Sequence, residues 1–428
     1  MELSKFAYIT AIGTLADSLI SLISLITVSK LSTVAIAATG IVSYLFFLIN
    51  AASMVFTGGL MVLISQAFGA RKLELAEEAS AETLSLAIAS SLIALISMPM
   101  WLKPYLEFVS MGNSDIVSES YIYASMRLLS LPAILINSSL SAIYRAGDDA
   151  YTPTICSLVN ASSGAIIIPS MTLGLFGLPR MGLLGAGLGS SISSYLSVLV
   201  YAVRPPPLRI GIGRPRSLAA KVILIGLPTA AERIVASISQ NVYINAVARG
   251  GAPALAAHNI GITVENVIIQ PSFAIGMTAL VKAGQSLRSE DEVNEVLRRS
   301  LRIGASWMGL ASLLLVAASP FAGRAFSSDP DVVKLTSIYL ILAAMSEIGL
   351  GISQAFFGAI RGMGSVWIPF LISSISLIFL RALPAQLLSM KYGAIGAWMT
   401  QNTDMYGRVM ISYAIWRSSG RRLMKRVF

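Results

Sequence analysis

The residues with chemistry to offer in this sequence are carboxylates set in long apolar stretches. Asp17 lies in ITAIGTLADSLISLISLIT, with no basic residue within a turn or two. Glu232 follows Pro228 in GLPTAAER, Glu265 lies in GITVENVIIQP near Asn266 and Gln270, and Asp404 lies in MTQNTDMYGR. An ionisable residue inside a membrane helix is costly unless it faces a cavity or a partner. Burial without a partner favours the neutral acid, so such a group can carry a proton near neutral pH. Several oxygens gathered together can instead hold Na+. Cation coupling is therefore the chemistry these residues suggest. Asp17 is the clearest candidate and Glu265 the second, with Glu232 and Asp404 behind them. Thr14, Ser18, Ser21 and Ser24 sit at helical offsets that bring hydroxyls toward Asp17. Asp404 and Arg408 have the spacing of an ion pair on one helix face. Arg381 needs an acidic partner, for which Glu265 and Asp404 are the options. Glu232 suits a structural role as well as coupling. Asp148 and Asp149 follow Arg145 where a loop is expected, which fits a gate or loop-structure role.

Nothing points to catalysis. No G-x-x-x-x-G-K-S/T loop is present to cradle a nucleotide. There is no Cys/His cluster for a metal, and the sole histidine, His258 in ALAAHNI, reads as a packed polar residue. The one cysteine, Cys156, lies in an apolar run and reads as a small hydrophobe. No cofactor and no metal beyond Na+ is expected; the coupling ion is Na+ or H+.

The elements that must position these groups are membrane helices. The chain has 428 residues, 55% hydrophobic and only 12% charged, with a mean hydropathy of +0.75. Soluble domains carry about 25% charged residues, so the composition indicates an all-α polytopic membrane protein. Twelve helices are expected, near 6–28, 34–66, 75–99, 116–142, 151–176, 182–203, 218–247, 252–284, 294–320, 332–360, 366–388 and 393–416. The start, MELSKF, has no small-residue cleavage site after a short apolar core, so the first helix reads as retained. The segment RPPPLRIGIGRPRS, residues 204–217, divides the chain. Its prolines exclude a helix interior and its arginines exclude hydrocarbon. The expected organisation is a lobe over 1–203, a semi-rigid basic linker over 204–217, a second lobe over 218–416 and a basic tail over 417–428. Lys and Arg gather in alternate loops, which places both termini and the linker in the cytoplasm of a plasma-membrane protein. The net charge of +10 follows that topology, and no basic stripe interleaved with aromatics suggests nucleic-acid binding. The partners expected are the bilayer and small molecules. Gly185 and Gly189 would allow a close helix approach, but no seam predicts a dimer, so a monomer is expected.

The halves repeat. Val28–Ile41, VSKLSTVAIAATGI, lies over Val247–Ile260, VARGGAPALAAHNI, and Gln66 lies over Gln285. RAGDDAYTP, from Arg145, lies over RGMGSVWIP, from Arg361, and MGLLGAG over YGAIGA. An even number of helices per repeat makes the repeats enter from the same side, the parallel arrangement of some secondary transporters.

These stretches, together with GLMVLISQAFGARK, IYRAGDDAYTP, GLPTAAER, GMTALVKAGQSLRS and YGAIGAW, resemble the multidrug and toxic compound extrusion (MATE) transporters, archaeal or bacterial type. The resemblance covers nearly the whole chain in order. It implies two six-helix bundles forming a V around a central cavity, and antiport: export of amphipathic, often cationic compounds driven by Na+ or H+ moving inward. It places Asn137 and Asn160 in the first-lobe pocket, with Asp17 and Ser24 on its wall. The chain departs from the family at three acidic positions. Ser24 stands where many members carry a first-helix Asp, Ile168 stands before Pro169 where a second Asp is usual, and Ala236 replaces a seventh-helix Glu. The other reading, a flippase for lipids or lipid-linked oligosaccharides, calls for several inward-facing basic residues. Only Arg127, Arg233, Arg381 and Arg408 are candidates, so the exporter leads. A channel or receptor is the third class, which the repeat opposes weakly.

Overall fold

Lipid offers the backbone no hydrogen bonds, so apolar stretches satisfy their own amides in helices. The computed structural model describes residues 1–110 and 113–428, and their side chains except those of Leu19, Ser21, Leu22, Thr33 and Arg421. The described residues are helical, with no strand. In chain order the helices are α1 (Leu3–Val28), α2 (Thr33–Gly69), α3 (Leu73–Ile96), α4 (Met98–Val109), α5 (Ser114–Leu128), α6 (Leu131–Ala146), α7 (Tyr151–Leu173) and α8 (Gly182–Val203). They continue with α9 (Ser217–Ala248), α10 (Gly251–Ile268), α11 (Gln270–Gln285), α12 (Glu290–Phe326), α13 (Pro330–Gly362) and α14 (Trp367–Ser376). A π-helical turn, Leu377–Ala382, leads into α15 (Leu383–Leu423).

Nine of these stretches are long and apolar enough to cross a membrane, and two bent pairs make two more. Pairs α5–α6 and α10–α11 bend by 44° and 40°. Pro132 and Pro271 stand in the first turns of α6 and α11, where a missing N–H and the ring's clash with the preceding turn stop a straight helix from continuing. The last stretch, Trp367–Gly420, contains Gly393 at φ 58°, a left-handed break that divides it in two. Among the described residues this makes twelve crossings, as expected from hydropathy, with α4 as an additional short helix. Large apolar side chains stand exposed along the helices, among them Leu25, Ile93, Phe108, Leu313 and Leu387. That surface suits lipid, not water.

The chain divides into two compact units. The amino-terminal unit comprises Ile12–Ile64 and Leu73–Leu227; the carboxy-terminal unit comprises Met1–Ala11, Ser65–Lys72 and Pro228–Phe428. The division thus falls inside α1, α2 and α9.

In the amino-terminal unit, Val42, Phe46, Leu102, Leu106, Tyr123 and Leu183 form a buried core. The small residues of α8 are used up within the unit. A Cβ at Gly185 would strike the Met171 carbonyl, and one at Gly189 would come within 3.0 Å of Ile168. The basic segment before α9 is held along α3. Arg209 N donates to Glu77 at 3.1 Å, and Gly213 N donates to the Ser85 hydroxyl at 3.1 Å. The buried Glu82 carboxylate accepts from the amides of Arg216 (2.8 Å) and Ala219 (3.0 Å). A carboxylate there satisfies orphan amides at the start of α9 and meets the positive end of its dipole.

In the carboxy-terminal unit, Tyr243, Tyr339, Leu340 and Trp398 centre the core. The end of α2 packs on repeat-related chain: Arg288 Nε donates to the Gly69 carbonyl at 2.8 Å. The Gln66 amide holds the chain terminus. Its Nε2 donates to the carbonyls of Gly362 (2.9 Å) and Lys425 (3.1 Å), and its Oε1 accepts from Val427 N (3.0 Å).

Candidate functional sites: an open polar cavity and a closed acid network

The amino-terminal unit contains a cavity of about 360 Å³, within the range of small-molecule sites. α1 supplies Asp17, Ile20 and Ser24; α2 supplies Phe46, Asn50 and Thr57. The bent α5–α6 pair supplies Arg127, Asn137, Ser138, Ser141 and Arg145, α7 supplies Ser157 and Asn160, and α8 supplies Ser190, Ser194 and Ser197. The lining is mostly hydroxyl and amide.

Asp17 is exposed toward this space. Its partners come from other helices: the Ser157 hydroxyl hydrogen-bonds its carboxylate, and the buried Arg145 supplies a nearby positive charge. Ser18 turns back to the Thr14 carbonyl at 3.2 Å, Ser24 lines the cavity, and the Ser21 side chain lies outside the described residues. Asn137 Oδ1 accepts from the Tyr201 hydroxyl at 3.0 Å, which leaves its amide nitrogen for the cavity. Asn160 Oδ1 has no hydrogen-bond partner.

The carboxy-terminal unit holds its charged groups in a different state. Asp404, wholly buried, accepts from Arg408 Nε and Nη2 at 2.7 and 2.8 Å and from the Ser376 hydroxyl at 2.6 Å. Arg381 Nη1 stands 3.8 Å from the same carboxylate, and its guanidinium lies 4.5 Å from the Tyr243 ring centre. Arg381 is carried by the π-helical turn, a local form frequent at functional sites. Glu265 accepts from the Tyr339 hydroxyl and, at 2.7 Å, from Gln401 Nε2. Its neighbour is Glu347, wholly buried, whose oxygens meet no hydrogen-bond donor. The two carboxyls lie within hydrogen-bonding reach. Two acids can share such a position only with a proton or a cation between them. His258 stacks edge-on between Tyr243 and Tyr339, with neither ring nitrogen hydrogen-bonded. Glu232 is ion-paired to Arg361.

The sequence candidates therefore separate by unit. Asp17, Ser24, Asn137 and Asn160 share one cavity. Glu265 and Asp404 belong to the buried network, Asp404 with both arginines that the spacing and the need for an acid pointed to. Asp149 caps α7, accepting from the Tyr151 and Thr152 amides at 2.8 and 3.1 Å. Sequence reasoning missed Glu347. It stands in AAMSEIGLG, an apolar run without a basic neighbour, and the rule that singles out Asp17 finds it as well. It also read Arg145 as a loop charge, whereas α6 carries it into the cavity wall.

The MatE family model matches the chain twice, over residues 10–169 and 228–386, once in each half of the repeat. The chain is 26% identical over 390 residues to the "Probable multidrug resistance protein NorM" of Thermotoga maritima, covering 87% of this chain and 82% of that protein. It is 23% identical over 380 residues to the "Probable multidrug resistance protein YoeA" of Bacillus subtilis, covering 85% and 82%. A solved multidrug resistance MATE family transporter of the MOP superfamily, in an outward-facing conformation, matches with a TM-score of 0.89 at 16% identity, over 99% of this chain and 97% of that one. Two matches of one family model over most of both halves establish that this multi-pass membrane protein belongs to the MatE family, whose members are transporters rather than enzymes.

Proposed function

We propose that the protein is a secondary active exporter, an antiporter that moves amphipathic small molecules out of the cell by alternating access as Na+ or H+ moves inward. The observation that carries this reading is the Glu265–Glu347 pair, two buried carboxyls within hydrogen-bonding reach of each other. Exchange of that cation is the coupling step, and Tyr339 and Gln401 orient Glu265 for it. Asp404 and Glu232 hold arginines and serve the fold. The amino-terminal cavity, lined mostly by hydroxyls and amides, is the substrate site. Both termini lie in the cytoplasm, in keeping with the alternate-loop bias of Lys and Arg. Like NorM of Thermotoga maritima, named a multidrug resistance protein, the chain exports drugs in this reading, as a monomer.

The test is dye efflux from proteoliposomes under separately imposed Na+ and pH gradients. One of the two is expected to drive efflux. Efflux that persists unchanged with both gradients collapsed would end the antiporter reading.

A further inference from the structure

We propose that the amino-terminal cavity selects ligands carrying an anionic group, which Arg127 holds against the Phe46 ring. The word substrate for such a ligand rests on the exporter reading; the binding itself does not.

Arg127 lies at the end of α5, beside the bend, and lines the cavity. Its guanidinium stands 4.0 Å from the Phe46 ring centre and 5.5 Å from that of Tyr123, and its Nη1 donates to the Tyr123 hydroxyl at 3.0 Å. Among the described residues no carboxylate lies within ion-pair distance of it. By contrast, Arg381 and Arg408 share Asp404, and Arg361 has Glu232. An in-span charge is normally paired, and the guanidinium has five N–H donors, of which the Tyr123 hydroxyl accepts one.

The rest of the lining agrees. It carries Arg127 and Arg145 against the single carboxylate of Asp17. Asp17 and Arg145 lie close enough to offset each other, so the charge left over is that of Arg127. A guanidinium laid on an aromatic ring presents its edge as a planar fork, the geometry that takes a carboxylate or phosphate by two parallel bonds. The unpartnered Asn160 Oδ1 and the Asn137 amide nitrogen supply hydrogen bonds for the polar body of the same ligand. Purely lipophilic cations have no use for either feature.

The experiment compares rhodamine B, which has a free carboxylate, with its ethyl ester, which has the same ring system without one. Binding to the purified protein in detergent is read by fluorescence anisotropy, with no gradient present. The wild type is expected to prefer the acid by about tenfold, the scale of a charge-assisted hydrogen bond. Arg127→Gln removes that preference while the ester still binds, at wild-type affinity or better once a like charge is gone, which also reports an intact cavity. Arg127→Lys keeps the charge without the fork and retains part of the preference. A wild type that fails to bind the acid or does not prefer it, or an Arg127→Gln protein that keeps the preference, overturns the inference. If Arg127→Gln does not fold, the wild-type comparison and Arg127→Lys decide, an undiminished preference in the lysine variant counting against the guanidinium. Phosphatidylglycerol added to the micelles identifies the source of the anion. Displacement of bound dye indicates a lipid headgroup, and retention a soluble acid; the anion site stands in both. Failure of gradient-driven efflux with the dye preference intact would remove the antiporter reading and leave this one.

Discussion

The two units, each covered largely by one match of the same family model, use their polar residues in opposite ways. In the amino-terminal unit Asp17 and Arg127 face an open space, and Asn160 has an unclaimed oxygen. In the carboxy-terminal unit Asp404 is closed off by two arginines and a serine, and Glu265 by a tyrosine and a glutamine. The open unit has unmet hydrogen bonds to offer a ligand of some size. In the closed unit the unmet groups are the Glu347 oxygens, beside the Glu265 carboxyl. The contrast supports the proposal that substrate binds in the first and the driving cation in the second.

The largest expected effect tests whether the closed network is structural. Asp404→Ala leaves Arg381 and Arg408 buried without their acid, and breaking a buried pair costs about 3–5 kcal/mol. Thermal unfolding of the purified variant should show that loss. A variant as stable as the wild type would mean that the network contributes nothing to the fold. Next, Glu265→Gln should lower gradient-driven efflux by roughly a hundredfold, since about 2–3 kcal/mol of coupling is removed, while dye binding in detergent stays intact. Loss of binding instead would move substrate into the closed unit and erase the contrast. Smaller still, Gln66→Ala strips partners from the Gly362 and Lys425 carbonyls and the Val427 amide. A cost of about 1–3 kcal/mol, the range for unsatisfied buried groups, should appear in chemical denaturation with no change in dye affinity. The smallest effect is that of Asn160→Ala, a loss of two- to threefold in dye affinity, roughly one weak hydrogen bond, with coupling unaffected.

Much of this arrangement is legible in the sequence because membranes restrict the choices. Apolar runs must be helices, so the twelve crossings follow from hydropathy, and the Asp404–Arg408 pair follows from helix periodicity. What is not legible depends on neighbours from other helices. Asp17 looks solitary in its own stretch, yet Ser157 and Arg145 reach it from α7 and α6. Glu82 looks like surface charge in LAEEASAETL, yet it is buried at the start of α9. The basic segment reads as a tether, and only the fold reveals the glutamates and serine of α3 that bind it. Ser24 and Ile168 mark where the resemblance leads to an expectation of acids in the first lobe; in the proposed reading the acid pair in the closed unit takes their place.

The central claim is that the driving cation binds between Glu265 and Glu347 while substrate binds in the other unit. Glu347→Gln in proteoliposomes, assayed beside dye binding in detergent, tests it most directly. The account predicts wild-type dye affinity and no gradient-driven efflux. Efflux that still follows the imposed gradient at the wild-type rate would contradict it.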